Sequence, residues 1–171
     1  MDESPSVLSQ LIVERNQFTN VDSFVQFKAL KYLDASYNDF TVFDLSVLSK
    51  QLQGLRELNI SDSHVQDIKT DGIIKQGNLI HLDISNNNLT SLRLDAFGRF
   101  TYLQRFVFGG NRFDTFPISD LLAAFPDLES IGLEGTQWKC DFLRTVEASM
   151  KESFITFFSK LAGNETLLSC V

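Results

Sequence analysis

LIHLDISNNNLTSL, residues 79–92, sets Leu79, Leu82, Ile84, Asn87 and Leu89 at positions 1, 4, 6, 9 and 11 of a frame. Neither the 3.6-residue period of a helix nor the unbroken alternation of a strand gives that spacing. Positions 4 and 6 alone alternate, as two residues on one face of a short strand do. Positions 1 and 11 then close a core from either side of the strand. Position 9 starts the turn out, where an asparagine amide can satisfy main-chain groups that would otherwise be buried unpaired.

The frame recurs along the chain. It fits Leu103, Phe106, Phe108, Asn111 and Phe113 downstream, then Leu128, Ile131, Leu133, Thr136 and Trp138. Upstream it fits Leu55, Leu58, Ile60, Ser63 and Val65, then Leu30, Leu33, Ala35, Asn38 and Phe40, and first Leu8, Leu11, Val13, Asn16 and Phe18. Successive copies start at 8, 30, 55, 79, 103 and 128, in steps of 22 to 25 residues. The pattern LxxLxLxxNxL at this period resembles the leucine-rich repeat family. The resemblance implies an α/β solenoid, a right-handed superhelix with a parallel concave β-sheet and a helical C-terminal cap. Six repeats fill residues 1–138 and the cap fills 139–171. Stacked asparagines are expected to form a ladder, with local irregularity at Ser63 and Thr136, whose hydroxyls are shorter.

The back halves of the repeats answer one another too. Val21, Phe43, Ile68, Leu92 and Phe116 stand at position 14, and Phe27, Leu52, Gln76, Phe100 and Phe125 stand three residues before each new repeat. With 16 phenylalanines in 171 residues, the periodic ones read as a stacked spine inside the convex side. LDAFGRFTYL, residues 94–103, reads as a short helix or 3₁₀ turn. Gln76 interrupts the spine.

A formal charge of −7 and a pI near 4.7 argue against nucleic acid and anionic lipid as partners. No apolar run approaches the roughly 18 residues that a membrane helix needs, so no direct membrane insertion is expected. MDESPSVLSQ shows no basic start and no apolar core, so no signal peptide is visible in it. TQWKCDFL, residues 136–143, is nevertheless similar to the cysteine cap of extracellular repeat proteins, written NPWxCxCxL. Trp138 and Cys140 occupy matching slots, and Phe142 stands where the second cysteine usually falls. The resemblance implies a secreted or extracellular protein in which one of two usual disulfides is missing and Cys140 bonds Cys170. Two reduced thiols, or a bond from Cys170 to another chain, are the alternatives. Such a bond would stabilise the cap by about 3 to 4 kcal/mol in the chain-entropy picture.

A cap is needed because the last coil bares an apolar cross-section. Phe142, Leu143, Val146 and Met150 fall near helical spacing, and Phe154, Ile155, Phe157, Phe158 and Leu161 continue an apolar cluster expected to cover repeat six. At the other end, Leu8, Leu11, Val13 and Phe18 begin a repeat with no room for a cap before them. A fragment of a longer ectodomain, or dimerisation through this open end, is the expectation. Three glycosylation sequons occur, at Asn59, Asn88 and Asn164. The first two arise readily from the repeat consensus, and a glycan on Asn59 would stand in the middle of the concave face.

Residues at positions 3, 5, 7 and 8 are expected to face the concave side. They include Tyr32, Asp34, Ser36, Tyr37, Glu57, Asn59, Ser61, Asp62, His81, Asp83, Ser85 and Arg105. Tyrosines among carboxylates suit a protein ligand with a basic surface, although any strand face exposed to water must be polar. His81, Asp83 and Asp62 could imitate a metal site, but zinc takes three or four ligands and His64 lies on the loop side, so no metal and no cofactor is expected. No nucleophile has a histidine base, and Gly109-Gly110 reads as relief for a tight turn, so no enzyme is expected. The reading is protein recognition by a rigid surface. The reduced cap and the phenylalanines are similar to those of insect secreted leucine-rich repeat proteins, such as the mosquito immune type. That resemblance implies innate immune recognition or scaffolding. An adhesion or Toll-like receptor ectodomain and a structural matrix protein are the alternatives.

Overall fold

The computed structural model describes residues 8–70, 78–97, 100–158 and 170. Gln76, Leu161 and Asn164 lie outside them. In chain order the strands are β1 (Gln10–Ile12), β2 (Tyr32–Asp34), β3 (Val42–Asp44), β4 (Glu57–Asn59), β5 (Asp67–Lys69), β6 (His81–Asp83), β7 (Arg105–Val107), β8 (Ser130–Gly132) and β9 (Thr156–Phe157). Helices α1 (Ser46–Gln51), α2 (Ile118–Ala124) and α3 (Cys140–Glu152) lie between them, with 3₁₀ turns at Asp22–Phe24 and Leu94–Phe97. The second of these turns falls within LDAFGRFTYL.

Seven strands form one parallel sheet in the order β1-β2-β4-β6-β7-β8-β9. Position 4 is in register throughout: Leu11, Leu33, Leu58, Leu82, Phe106 and Ile131 pair in turn, and Phe157 follows. Each coil thus climbs one strand spacing, about 4.8 Å. Parallel strands joined by such crossovers wind to the right. The chain folds as a leucine-rich repeat solenoid with a concave sheet. Its core runs the full length as Leu33, Leu58, Leu82, Phe106 and Ile131 under the sheet, with Phe43, Leu52, Phe97, Phe100 and Phe125 behind, all buried. Edge-to-face ring contacts join Phe97, Phe106 and Phe125, the arrangement that aromatic quadrupoles prefer. Val21, Phe43, Ile68, Leu92 and Phe116 are buried as the convex spine requires.

The asparagine ladder is present. Asn87 Nδ2 donates to the carbonyls of Ile60, Ile84 and Ser85, and its Oδ1 accepts from the amides of Ser63 and Val65. Asn38 and Asn111 repeat the scheme. At Ser63 the hydroxyl accepts from the Asn38 amide and donates to carbonyl oxygens, but it does not reach Phe40. The Phe40 amide turns to the Ser63 carbonyl instead. His64 and Thr41 take left-handed backbone angles on either side of this substitution. Thr136 departs differently, its hydroxyl accepting from the Gly110 amide.

Two features differ from expectation. On the convex side β3 and β5 pair as a second, two-stranded parallel sheet where only turns or helices were expected. Phe43 and Ile68 are buried between more exposed neighbours, the alternation of a strand. The cap also divides its work. Helix α3 buries Leu143, Val146 and Met150, and Trp138 is fully buried beside Phe113, Phe116 and Phe142 while its Nε1 donates to the Leu133 carbonyl. The helix stops at Glu152, and Phe154, at φ 58°, is 91% exposed. The expectation that Phe154 covers repeat six is thus corrected. The chain turns there to lay β9 beside β8, burying Ile155 and part of Phe157 instead. Cys140 and Cys170 are joined by a disulfide with a Cα–Cα distance of 4.8 Å, and Cys170 also bridges to Trp138.

Candidate recognition surface

In-register pairing lines the concave side chains up in rows across the strands. One row runs Tyr32, Glu57, His81, Arg105, Ser130 and Thr156; the next runs Asp34, Asn59, Asp83, Val107 and Gly132. Rungs about 4.8 Å apart put neighbouring side chains in contact range. His81 Nδ1 stands 3.5 Å from Glu57 Oε2. Burial, together with the negative charge of Asp34 and Glu57, raises the Tyr32 phenol above its ordinary 10.0.

The second row is tied down. Asp34, Asn59 and Asp83 each accept the amide of the residue two ahead on Oδ1, and Asp34 and Asp83 also accept the serine hydroxyl there at 2.6 Å. These are Asx turns that end each strand. Ser36, Ser61 and Ser85 are therefore buried, which corrects their assignment to the concave face. The signal was readable: DAS, NIS and DIS recur at 34–36, 59–61 and 83–85. Position 8 follows, and Arg15, Tyr37, Asp62, Asn86 and Gly110 all have φ between 54° and 71°. Gly109, beside Gly110, leaves no space for a Cβ against the backbone of Glu134, so this glycine pair serves coil stacking.

The rows enclose a shallow hollow of about 190 Å³, walled by Tyr32, Glu57, His81, Asp83, Arg105 and Phe158. Asn59 also lines it. Asp34, Tyr37 and Asp62 do not: Tyr37 carries the Arg15 guanidinium 4.6 Å above its ring, and Asp62 accepts from Asn86 Nδ2. Phe158 escaped sequence reasoning because it was assigned to the lid. It follows β9, donates its amide to the Ile131 carbonyl, and sits beneath the Arg105 guanidinium at 4.4 Å. Arg105 Nε is buried with no hydrogen-bond partner among the described residues. The hollow is thus acidic on the β4 and β6 side and cationic at β7. Of the sequons, Asn59 and Asn88 are both half-buried. Among the described residues, no three histidine, cysteine or acidic side chains gather as metal ligands, and no helix is long and apolar enough to cross a membrane.

Residues 53–113 match the model of the family described as Leucine rich repeat. Among solved structures the chain is similar to one from an octameric complex of Latrophilin 3 (Lec, Olf), Unc5D (Ig, Ig2, TSP1) and FLRT2 (LRR), with a TM-score of 0.65 and 17% identity. That likeness covers 94% of this chain and 50% of the other, so the chain spans half the length of the solved relative. Among curated proteins, no relative matches it. Repeat frame, strand register and structural likeness agree on the fold: the chain folds as a leucine-rich repeat solenoid, and its residues 53–113 match the repeat family's model.

Proposed function

We propose that the chain is a non-enzymatic recognition module whose concave sheet holds a protein ligand with a basic surface. The hollow between β2 and β7 carries this reading. Glu57 and Asp83 put negative charge beside it, Tyr32 and Phe158 offer ring surface, and Arg105 Nε has no hydrogen-bond partner among the described residues. Little of the rigid repeat frame has to order on binding, so more of the contact energy appears as affinity. Extracellular placement is supported by the Cys140–Cys170 bond, which persists in oxidising compartments.

Within that reading the module acts in innate immune recognition or scaffolding, with glycans on Asn164, Asn88 or Asn59 and self-association through the β1 end. A second reading, part of an adhesion ectodomain, is favoured by the likeness to a chain from a complex of Latrophilin 3, Unc5D and FLRT2. Capture of partners from extracellular fluid, identified by mass spectrometry, tests the shared claim. Wild type should retain a basic protein that Glu57→Lys loses. Equal retention by both would place recognition elsewhere.

A further inference from the structure

We infer a second binding site, independent of the concave hollow, for a sulfate or phosphate ester group. It lies on the rim where the coils rise into the sheet, in a cleft of about 400 Å³. Lys31 and Arg56 stand on adjacent rungs there, since the Arg56 amide donates to the Lys31 carbonyl. Neither side chain makes an ion pair or hydrogen bond to a described residue, whereas Arg15, Arg93, Lys139 and Arg144 each meet a carboxylate. Gly54 makes room for the ammonium: a Cβ added there would lie 2.8 Å from Lys31 Nζ. Tyr102 and Gln104 line the continuation of the cleft with phenol and amide groups that can donate, beside Asn78, whose Nδ2 already donates to the Gln53 carbonyl.

The acidic balance of the whole chain does not forbid this. Glu57 and Asp83 line the concave hollow, not this cleft. Among the described residues the single carboxylate lining it, Asp127, stands three rungs from Gly54, about 14 Å at the ordinary strand spacing. That distance exceeds the screening length of about 8 Å at physiological salt. A guanidinium supplies a planar fork and an ammonium a point charge, a pair suited to a tetrahedral oxyanion. Such a group reaches a protein either on a sulfated polysaccharide or as a free phosphate.

Calorimetric titration of the full chain with a heparin-derived hexasaccharide and, separately, with inorganic phosphate tests the site. Saturable hexasaccharide binding that weakens with added salt is expected. It should fall about tenfold or more in Lys31→Ala with Arg56→Ala, the loss expected for charge-assisted contacts. The charge-matched Arg112→Ala with Lys151→Ala should bind as wild type does. Phosphate binding as strongly as the hexasaccharide, with the same variant dependence, would support the site and assign it to a free anion. Absence of binding by both probes, or equal affinity in the Lys31/Arg56 and Arg112/Lys151 variants, would overturn it.

Discussion

Asn87 makes five hydrogen bonds from a buried amide, two of them to the preceding coil's amides. Asn87→Ala strands those groups away from water. At about 1 to 3 kcal/mol for each unpaired group, a loss of about 3 kcal/mol or more is expected in urea unfolding. Tyr32 supplies a pH test. Its phenol is raised above 10.0 by burial and neighbouring carboxylates, so the folded chain keeps a proton that the unfolded chain releases. The linked stability is fully present below the ordinary tyrosine value and is lost as pH rises through the raised one. Ultraviolet titration should show a phenol ionising above the ordinary tyrosine value, and Tyr32→Phe should remove that step. Asparagine slots and Asp-x-Ser turns were legible because one residue type performs one hydrogen-bonding task. The left-handed position 8 was not, since Arg15, Tyr37, Asp62, Asn86 and Gly110 share only a backbone angle imposed by coil stacking.

Elements were legible where one period persisted. The apolar frame foretold the strands of the concave sheet up to β8, and helical spacing foretold α3 as far as Met150. Beyond that point Phe154, Ile155, Phe157 and Phe158 offer no single period, and a two-residue strand against β8 leaves too little pattern to detect. The convex pair β3 and β5 was hidden because the pairing occurs in only two coils and so sets up no recurring signal. The disulfide ties α3 to the last described residue across a separation of 30. Cys140→Ser with Cys170→Ser should therefore lower stability by about 3 to 4 kcal/mol, and reductant should lower the wild-type melting temperature but leave the variant's unchanged. Phe154→Ser should stay within about 0.5 kcal/mol of wild type in the same melts, as substitutions at exposed positions do.

At the scale of the whole molecule, register converts a sequence repeat into a surface. One conserved climb per coil puts Tyr32, Glu57, His81 and Arg105 in a line, although they lie 24 or 25 residues apart in the chain. That line was legible from the frame alone. Its closure by Phe158 was not, because β9 joins the sheet from outside the repeat pattern. The convex and lateral acids, Asp22, Asp95 and Asp141, are exposed on other faces and serve as internal controls. Carboxylate footprinting of the protein with and without its captured partner addresses the concave sheet most directly. Partner binding should slow labelling of Glu57 and leave Asp22, Asp95 and Asp141 unchanged. Unchanged labelling of Glu57, with protection at Asp95 or Asp141, would contradict recognition by the concave sheet.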